Sequence, residues 1–593
     1  MQKLAGKLDT WPIIEDILRK EGIARQHLNS YNEFVERGIQ LIIDEIGSAE
    51  IESLTSPYKI RFGKLKVGNP RVVEIDGSVS NILPLEGRLR NLSYVAPLYL
   101  EMIVEENGIV REQQNQHIGD LPVMVKSDLC ALSKMTEQQL IDVGEDPNDP
   151  GGYFIVNGSE RVIVGLEDLS PNKILVDVEE TGGNIIYKSK IYSSIVGYRA
   201  KLEISMKKDG AINLKLPSSP TDLPLVVIMK ALAIDTDKDI ANAISGRAQI
   251  QDFLEVSFEK ATEVKTIQEA LVYIGNRVAH GMVEEYRLRK AESLLDWGLL
   301  PHLGRNPKDR FDKAMFLGEA VSKLLELKLG WVVPDDKDHY GNKMIKFAGQ
   351  MIADLFRTSI RNLIRDMKYQ LERTGQRRGM NVVGAAIRPG IITDKLRNAI
   401  ATGNWGRGKV GVTQLLDRTN YLSTLSHLRR IQSPLSRSQP NFEARDLHAT
   451  HFGRICPNET PEGSNCGLVK NVALSALISV SSSASEVVER LTELGVKTTK
   501  EADPTTKADG SRVFVDGRFI GYVLDAEKLV RQFRVMRRQG TVHPHVSISY
   551  VAPKNENAVG RIYLDVAPGK LAAYVLERHE NGNMTLRPEA VFG

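Results

Sequence analysis

Residues 445–471 read RDLHATHFGRICPNETPEGSNCGLVKN and follow neither the 3.6-residue period of a helix nor the two-residue period of a strand. Two prolines, several glycines, two histidines and two cysteines crowd a run that has no apolar face to bury. A chain carrying such a stretch cannot use it as core. The remainder must fold as a scaffold that holds it, and at 593 residues that scaffold is expected to comprise several domains.

Composition narrows the class. No apolar run approaches the roughly eighteen residues of a membrane span, and the start, MQKLAGKLDTWPIIEDILRK, lacks the apolar block of a signal peptide. Three cysteines (Cys130, Cys456, Cys466) imply a reducing, cytoplasmic setting rather than a disulfide framework. The net charge of +3 does not announce a nucleic-acid binder, and it argues against the acidic surface of a high-salt cytoplasm. The charge is segregated, however: 342–378 carries +6 and 403–470 carries +4, which leaves the rest of the chain acidic by seven. A phosphate-binding surface needs that distribution, although a solvated helix face is the plainer reading of any one charge run.

Local patterns place the elements. Trp11, Ile13, Ile14, Ile17 and Leu18 form one helical face, and Ser30 with Glu33 reads as a capping box opening a second helix. Hairpin turns are expected at 106–108, at Asn157-Gly158, at 208–210 and at Asp516-Gly517. Helices are expected at 224–233, 266–278, 283–297, 311–329, 484–494 and 526–539, the last carrying Arg531, Arg534, Arg537 and Arg538. Apolar residues at helical spacing predict a long helix over 342–372. Strands are expected at 546–551, 561–565 and 571–576, and the whole reads as an α+β multidomain protein.

Catalytic motifs are absent. Cys456 and Cys466 lack zinc-knuckle spacing, so His448, His451 and the cysteines are read as structural polar residues rather than a metal site. The run DDKDHYGNK at 335–343 has Tyr340 where a calcium loop needs an oxygen ligand, and Phe347 beyond it stands where the closing Glu belongs, so this is read as a turn. No nucleophile elbow and no Walker A loop occurs, and Gly406-Arg407-Gly408-Lys409 is a short glycine-rich basic loop able to approach phosphates.

The 445–471 stretch closely resembles the fork region of the second-largest subunit of cellular DNA-directed RNA polymerases. TGNWG (402–406), STLSHLRR (423–430), DPGGYFIVNGSERVIV (149–164), DDKDHYGNK and LNSYNEFVERGIQ (28–40) resemble the same family in the same order. Asn458, Cys466 and Gln432 favour its archaeal and eukaryotic branch. Gln432 stands where bacterial β has Ser in the rifamycin pocket, which implies insensitivity to that drug.

The resemblance implies a protrusion at 1–185, a lobe at 186–340, a returning protrusion segment at 341–400, a fork with two loops at 401–475 and an external region at 476–593. Family subunits are about twice this length, so it implies the amino-terminal half of a split subunit. Ala567-Pro568-Gly569-Lys570 departs from the family pattern in the external strands.

It further implies a non-catalytic half-subunit contacting DNA template, RNA–DNA hybrid and incoming NTP. Arg407, Lys409, Arg418, Arg429, Arg430, Arg437, Arg445, Arg454 and Lys470 would lie near nucleic acid or nucleotide. Pro461, Glu462 and Gly463 would form part of the active-centre wall. Implied partners are the carboxy-terminal half, the largest subunit and the other polymerase subunits, without a membrane. No metal or cofactor is expected on this chain, Mg2+ being held by other subunits. The rival is a stand-alone nucleic-acid-binding protein reusing the scaffold.

Overall fold

The computed structural model describes residues 22–590 except 52–57, 107–108, 196–197, 218, 375–383, 385, 407–408, 556–557 and 579–583, together with Trp11, Glu15, Leu18 and Arg19. Of the expected first helix, Trp11 and Leu18 are helical, while Ile13, Ile14 and Ile17, like the tip of the 106–108 turn, lie outside the described residues. The chain forms two compact units, each discontinuous in sequence: Met1–Asp168 with Ile345–Val480, and Leu169–Met344 with Ser481–Gly593.

The first unit is built on a four-stranded antiparallel sheet in the order Ser48–Ile51, Tyr58–Val67, Val95–Glu106, Ile109–Pro122. Along Val95–Glu106 every second residue (Ala96, Leu98, Leu100, Met102, Val104) is buried, as a strand with one face on a core requires. Helices Arg25–Glu33, Ile39–Ile46, Ala348–Thr374 and Gly390–Thr402 supply the other side of that core through Tyr31, Ile42, Phe356, Ile360 and Leu396.

Ser30 does not cap a helix. The helix begins at Arg25, and the Ser30 hydroxyl instead accepts from Gly349 N–H (3.0 Å) and donates to Gln350 (3.0 Å). A Cβ on Gly349 would stand 1.8 Å from the Ser30 carbonyl, so only glycine permits this helix crossing. The long helix also differs from expectation: Lys343–Lys346 is a strand, and the helix runs over Ala348–Thr374.

In the second unit, five antiparallel strands follow one another in sequence order: Ile174–Thr181, Asn184–Ile195, Tyr198–Met206, Ile212–Lys215 and Leu223–Pro224. Ile174–Thr181 pairs along its whole length with Asn184–Ile195, so an expected boundary at 185/186 would divide a hairpin, and the compact unit changes at 168/169 instead. The expected helices form as Leu225–Ala231, Ile267–Val278, Glu284–Ser293 and Arg310–Lys328. Thr266 and Glu269 complete a capping box.

The carboxy-terminal part of this unit has a mixed sheet ordered Arg518–Val523, Ser511–Val515, Arg561–Asp565, Ser547–Val551. Helices Ala484–Glu493 and Ala526–Arg538 bury Leu491, Leu529 and Phe533 in the same cluster as Val513 and Ile562. Two buried arginines, Arg512 and Arg561, are register partners on parallel strands. They reach Glu319 (3.0 Å) and Glu326 (2.8 Å), about two turns apart on Arg310–Lys328. That helix is buried on nearly every side because its charges are matched. Lys313 donates to the carbonyls of Leu295 and Asp296, and Lys323 donates to the Ile174 carbonyl and to Asp335.

Candidate nucleic-acid interface

The hairpin expected at Asn157-Gly158 forms, with Asn157 (φ 49°) and Gly158 (φ 74°) joining Phe154–Val156 to Ser159–Ile163. Its second strand takes Thr413–Leu415 as a neighbour, which fixes one end of the basic segment 403–470. The next strand, Gly165–Leu169, pairs parallel with Arg430–Gln432, which in turn pairs antiparallel with Val469–Asn471. Residues 430–432 and 469–471 are thus side by side in one small sheet, and residues 433–468 connect them.

The first loop is anchored by Trp405. Its indole donates to the Thr413 hydroxyl (2.8 Å), and its N–H donates to the Lys409 carbonyl (3.0 Å). Lys409 and Val410 are exposed at the rim, and Arg407 lies outside the described residues. Gly403 is left-handed (φ 72°), and a Cβ there would stand 2.5 Å from the Thr413 carbonyl.

Helix Tyr421–Leu428, capped by Asn420, delivers Arg429 to the interior. Arg429 is buried and donates to the carbonyls of Val472 (3.0 Å), Ile23 (3.0 Å) and Ala473. Burial and the nearby Arg25 charge push its guanidinium down to about 10. This corrects the phosphate-contact reading of Arg429: its donors are consumed by backbone. Lys470 is corrected likewise, since it is buried against Glu167 at 3.2 Å. Arg418 is locked to Glu160 (2.7 Å) and Asp149 (2.8 Å) and lies 5.0 Å from the centre of the Tyr153 ring.

Arg430 sits on the opposite face of its strand from the buried Ile431 and is half-buried, across from Asn471. Asn471 donates to the Ser426 carbonyl (2.9 Å) and hydroxyl (3.1 Å). Residues 434–440 are exposed throughout, Arg437 included, and Arg437 forms no ion pair among the described residues.

Arg445 ties this loop to the proline–glutamate–glycine turn. It donates to the Ser464 and Cys466 carbonyls, both at 2.8 Å, and to the Arg437 carbonyl at 3.2 Å. Gly467 (φ 72°) permits the approach, because a Cβ there would lie 2.4 Å from the Arg445 carbonyl. Pro461 is half-buried, while Glu462 and Gly463 (φ 77°) are exposed. Arg454 is half-buried, donates to the Phe452 carbonyl (3.1 Å) and is shifted down by burial.

His448 and His451 have ring centres 6.2 Å apart, and the His448 Nδ1 lies 2.7 Å from the Thr450 hydroxyl. Among the described residues no three His, Cys, Asp or Glu side chains cluster so as to hold a metal ion.

The fold therefore sorts the basic residues into three groups. Lys409 and Arg437 are presented to solvent; Arg430, Arg445 and Arg454 are half-buried beside the loops; Arg418, Arg429 and Lys470 are internal fasteners. Sequence reasoning missed Trp405, Glu160, Asp149 and Glu167, which hold the segment in place. Glu160 and Asp149 lie inside the DPGGYFIVNGSERVIV motif, the one signal that could have pointed to them.

Comparison with known proteins bears on this arrangement. Residues 22–394 match the family model described as RNA polymerase beta subunit. Residues 414–478 and 513–565 match those described as RNA polymerase Rpb2, domain 3 and domain 4. The chain is 47% identical over 560 residues to DNA-directed RNA polymerase subunit Rpo2 of Saccharolobus shibatae, covering 93% of this chain and 50% of that protein. It is 45% identical over 495 residues to subunit Rpo2N of Methanococcus vannielii, covering 82% of this chain and 98% of that protein. Against Rpo2N of Halobacterium salinarum it is 41% identical over 522 residues, covering 84% and 99%. The chain thus spans about half the length of its Rpo2 relatives and nearly all of the Rpo2N ones.

Proposed function

This chain belongs to the family of second-largest RNA polymerase subunits, in its archaeal branch, and from that premise we propose that it works as the amino-terminal half of that subunit in a multisubunit DNA-directed RNA polymerase. Its partners would be the carboxy-terminal half, the largest subunit and the remaining polymerase subunits. The reaction is attack of the RNA 3′-hydroxyl on the α-phosphate of an incoming ribonucleotide. Magnesium, which supplies the Lewis acid, would be held by carboxylates on other chains, in the cytoplasm.

The observation that carries this reading is the way Arg445 binds two loops together within the motif-bearing segment. Fixing Arg437 and the turn at 461–466 from one guanidinium gives the chain a pre-set wall beside a reaction centre completed elsewhere. Exposed single cations on such loops follow a phosphate backbone without reading bases. Lys409 on the first loop would sit toward the upstream hybrid and Arg437 on the second toward the separating duplex. Glu462, exposed at the turn, would face the active centre.

Pull-down of the tagged chain from native extract is expected to recover a carboxy-terminal half and a largest subunit in equal amounts, with RNA synthesis in the recovered fraction. Recovery of the chain alone, with transcription activity left wholly in the depleted extract, would sink the reading.

A further inference from the structure

Helix Ala526–Arg538 in the second unit has a buried side (Ala526, Leu529, Val530, Phe533, Arg537) and an opposite side that holds Lys528, Arg531, Arg534 and Arg538. Glu527 is the one carboxylate on that outer side. Among the described residues, Lys528, Arg531 and Arg534 form no ion pair, and Glu527 makes none with Arg531 although it stands one turn before it. Elsewhere the chain neutralises cations on exposed helices: Arg289 meets Glu285 (2.6 Å), Arg397 meets Asp394 (2.7 Å), and Arg490 meets Glu493 (2.8 Å). Successive like charges three and four residues apart destabilise a helix. A solvated face would be expected to carry balancing acids, and this face sets Glu527 alone against Lys528, Arg531 and Arg534.

A second observation adjoins it. A cavity of about 440 Å³ opens beside the first turns of the helix, and its lining includes Glu493, Lys497, Tyr522, Asp525, Lys528 and Gln532. Lys497 is exposed across this cleft, 3.5 Å from Asp503. The concavity thus holds Lys497 and Lys528 together with Glu493 and Asp525, so the unbalanced cations lie on the helix face itself.

We propose that this face is a docking surface for the phosphodiester backbone of duplex DNA, separate from the fork loops and additional to the polymerase reading above. From Lys528 to Arg538 the row extends about 15 Å along the helix, long enough to follow successive phosphates. The exposed side has no aromatic residue, Phe533 being buried, so it offers no stacking platform of the kind that single strands need. The proposed contact is to phosphates, which fixes position without reading sequence.

The test is salt-dependent binding of the full chain to a fluorescent duplex, a single strand of equal length and polyglutamate. In the K528Q/R531Q/R534Q variant, duplex affinity is expected to fall on the order of tenfold or more at low salt, and the log–log salt slope is expected to lose about 0.9 per contact. Glu527→Gln should raise duplex affinity, a gain that misfolding cannot produce. An unchanged slope in the triple variant overturns the proposal. So does loss confined to the single strand, or loss confined to polyglutamate, which would assign the face to an acidic protein.

Discussion

Arg429 donates to the carbonyls of Ile23, Val472 and Ala473, so Arg429→Ala would strip the donor from one buried and two part-buried acceptors at once. The expected cost is about 3 kcal/mol or more in chemical denaturation, and Arg429→Lys should recover only part of it because an ammonium lacks the planar fork. Arg437→Ala should leave stability within about 0.5 kcal/mol while slowing RNA chain elongation by the assembled polymerase. The reverse pattern, a stable Arg429→Ala protein that elongates slowly, would restore Arg429 as a phosphate contact. Residue identity alone could not separate the two. Both are arginines in a cationic segment, and burial depends on carbonyls contributed from residue 23 and from 472–473.

At the scale of elements, local chemistry decided what was legible. The turns at Asn157-Gly158 and Asp516-Gly517 were readable because both residues must take positive φ, and the structure gives them φ 49°, 74°, 47° and 80°. The 342–372 run misled because Met344 satisfies a helical spacing while the backbone at Lys343–Lys346 is extended. The Ser30 box misled because its hydroxyl is taken by a helix far away in sequence. Pairing of Arg512 with Glu319 and of Arg561 with Glu326 was invisible, since it depends on the parallel register of two strands against a helix about two hundred residues earlier. The glutamates are 3% and 0% exposed, so neither can be left alone. Arg561→Met should cost about 3–5 kcal/mol and the Arg561→Met/Glu326→Leu double substitution far less. Additive single and double effects in that cycle would show the pair to be uncoupled.

Across the whole molecule, segregated charge proved a partial guide. Of the cations counted in 342–378, Lys343 pairs with Asp338, Lys346 with Asp168 and Arg357 with Glu45, so fewer face solvent than the sum suggests. Proton linkage divides the two units more sharply. In the first, His27 and His427 are each pushed down to about 4, by burial first and then by a neighbouring cation, Arg429 for the one and Arg430 for the other. In the second, burial first and then Lys313 and Arg518 push His302 down to about 3, while burial and then Asp565 raise Asp516 to about 6. Below pH 6.5 the unfolded chain takes up protons that the folded histidines refuse, so each histidine withdraws stability as pH falls towards 4. Asp516 has the opposite sign: the fold holds its proton between about 6 and 3.8 and gains stability as pH falls through that window. Between pH 7 and pH 5 each histidine should remove about 2 kcal/mol and Asp516 should restore about 1 kcal/mol. The first unit therefore loses roughly 4 kcal/mol and the second roughly 1 kcal/mol. Hydrogen exchange read peptide by peptide at the two pH values should show protection collapsing first in Met1–Asp168 and Ile345–Val480. His27→Gln should remove about half of that sensitivity. Equal loss of protection in both units, or earlier loss in the second, would mean that the buried histidines do not govern acid stability.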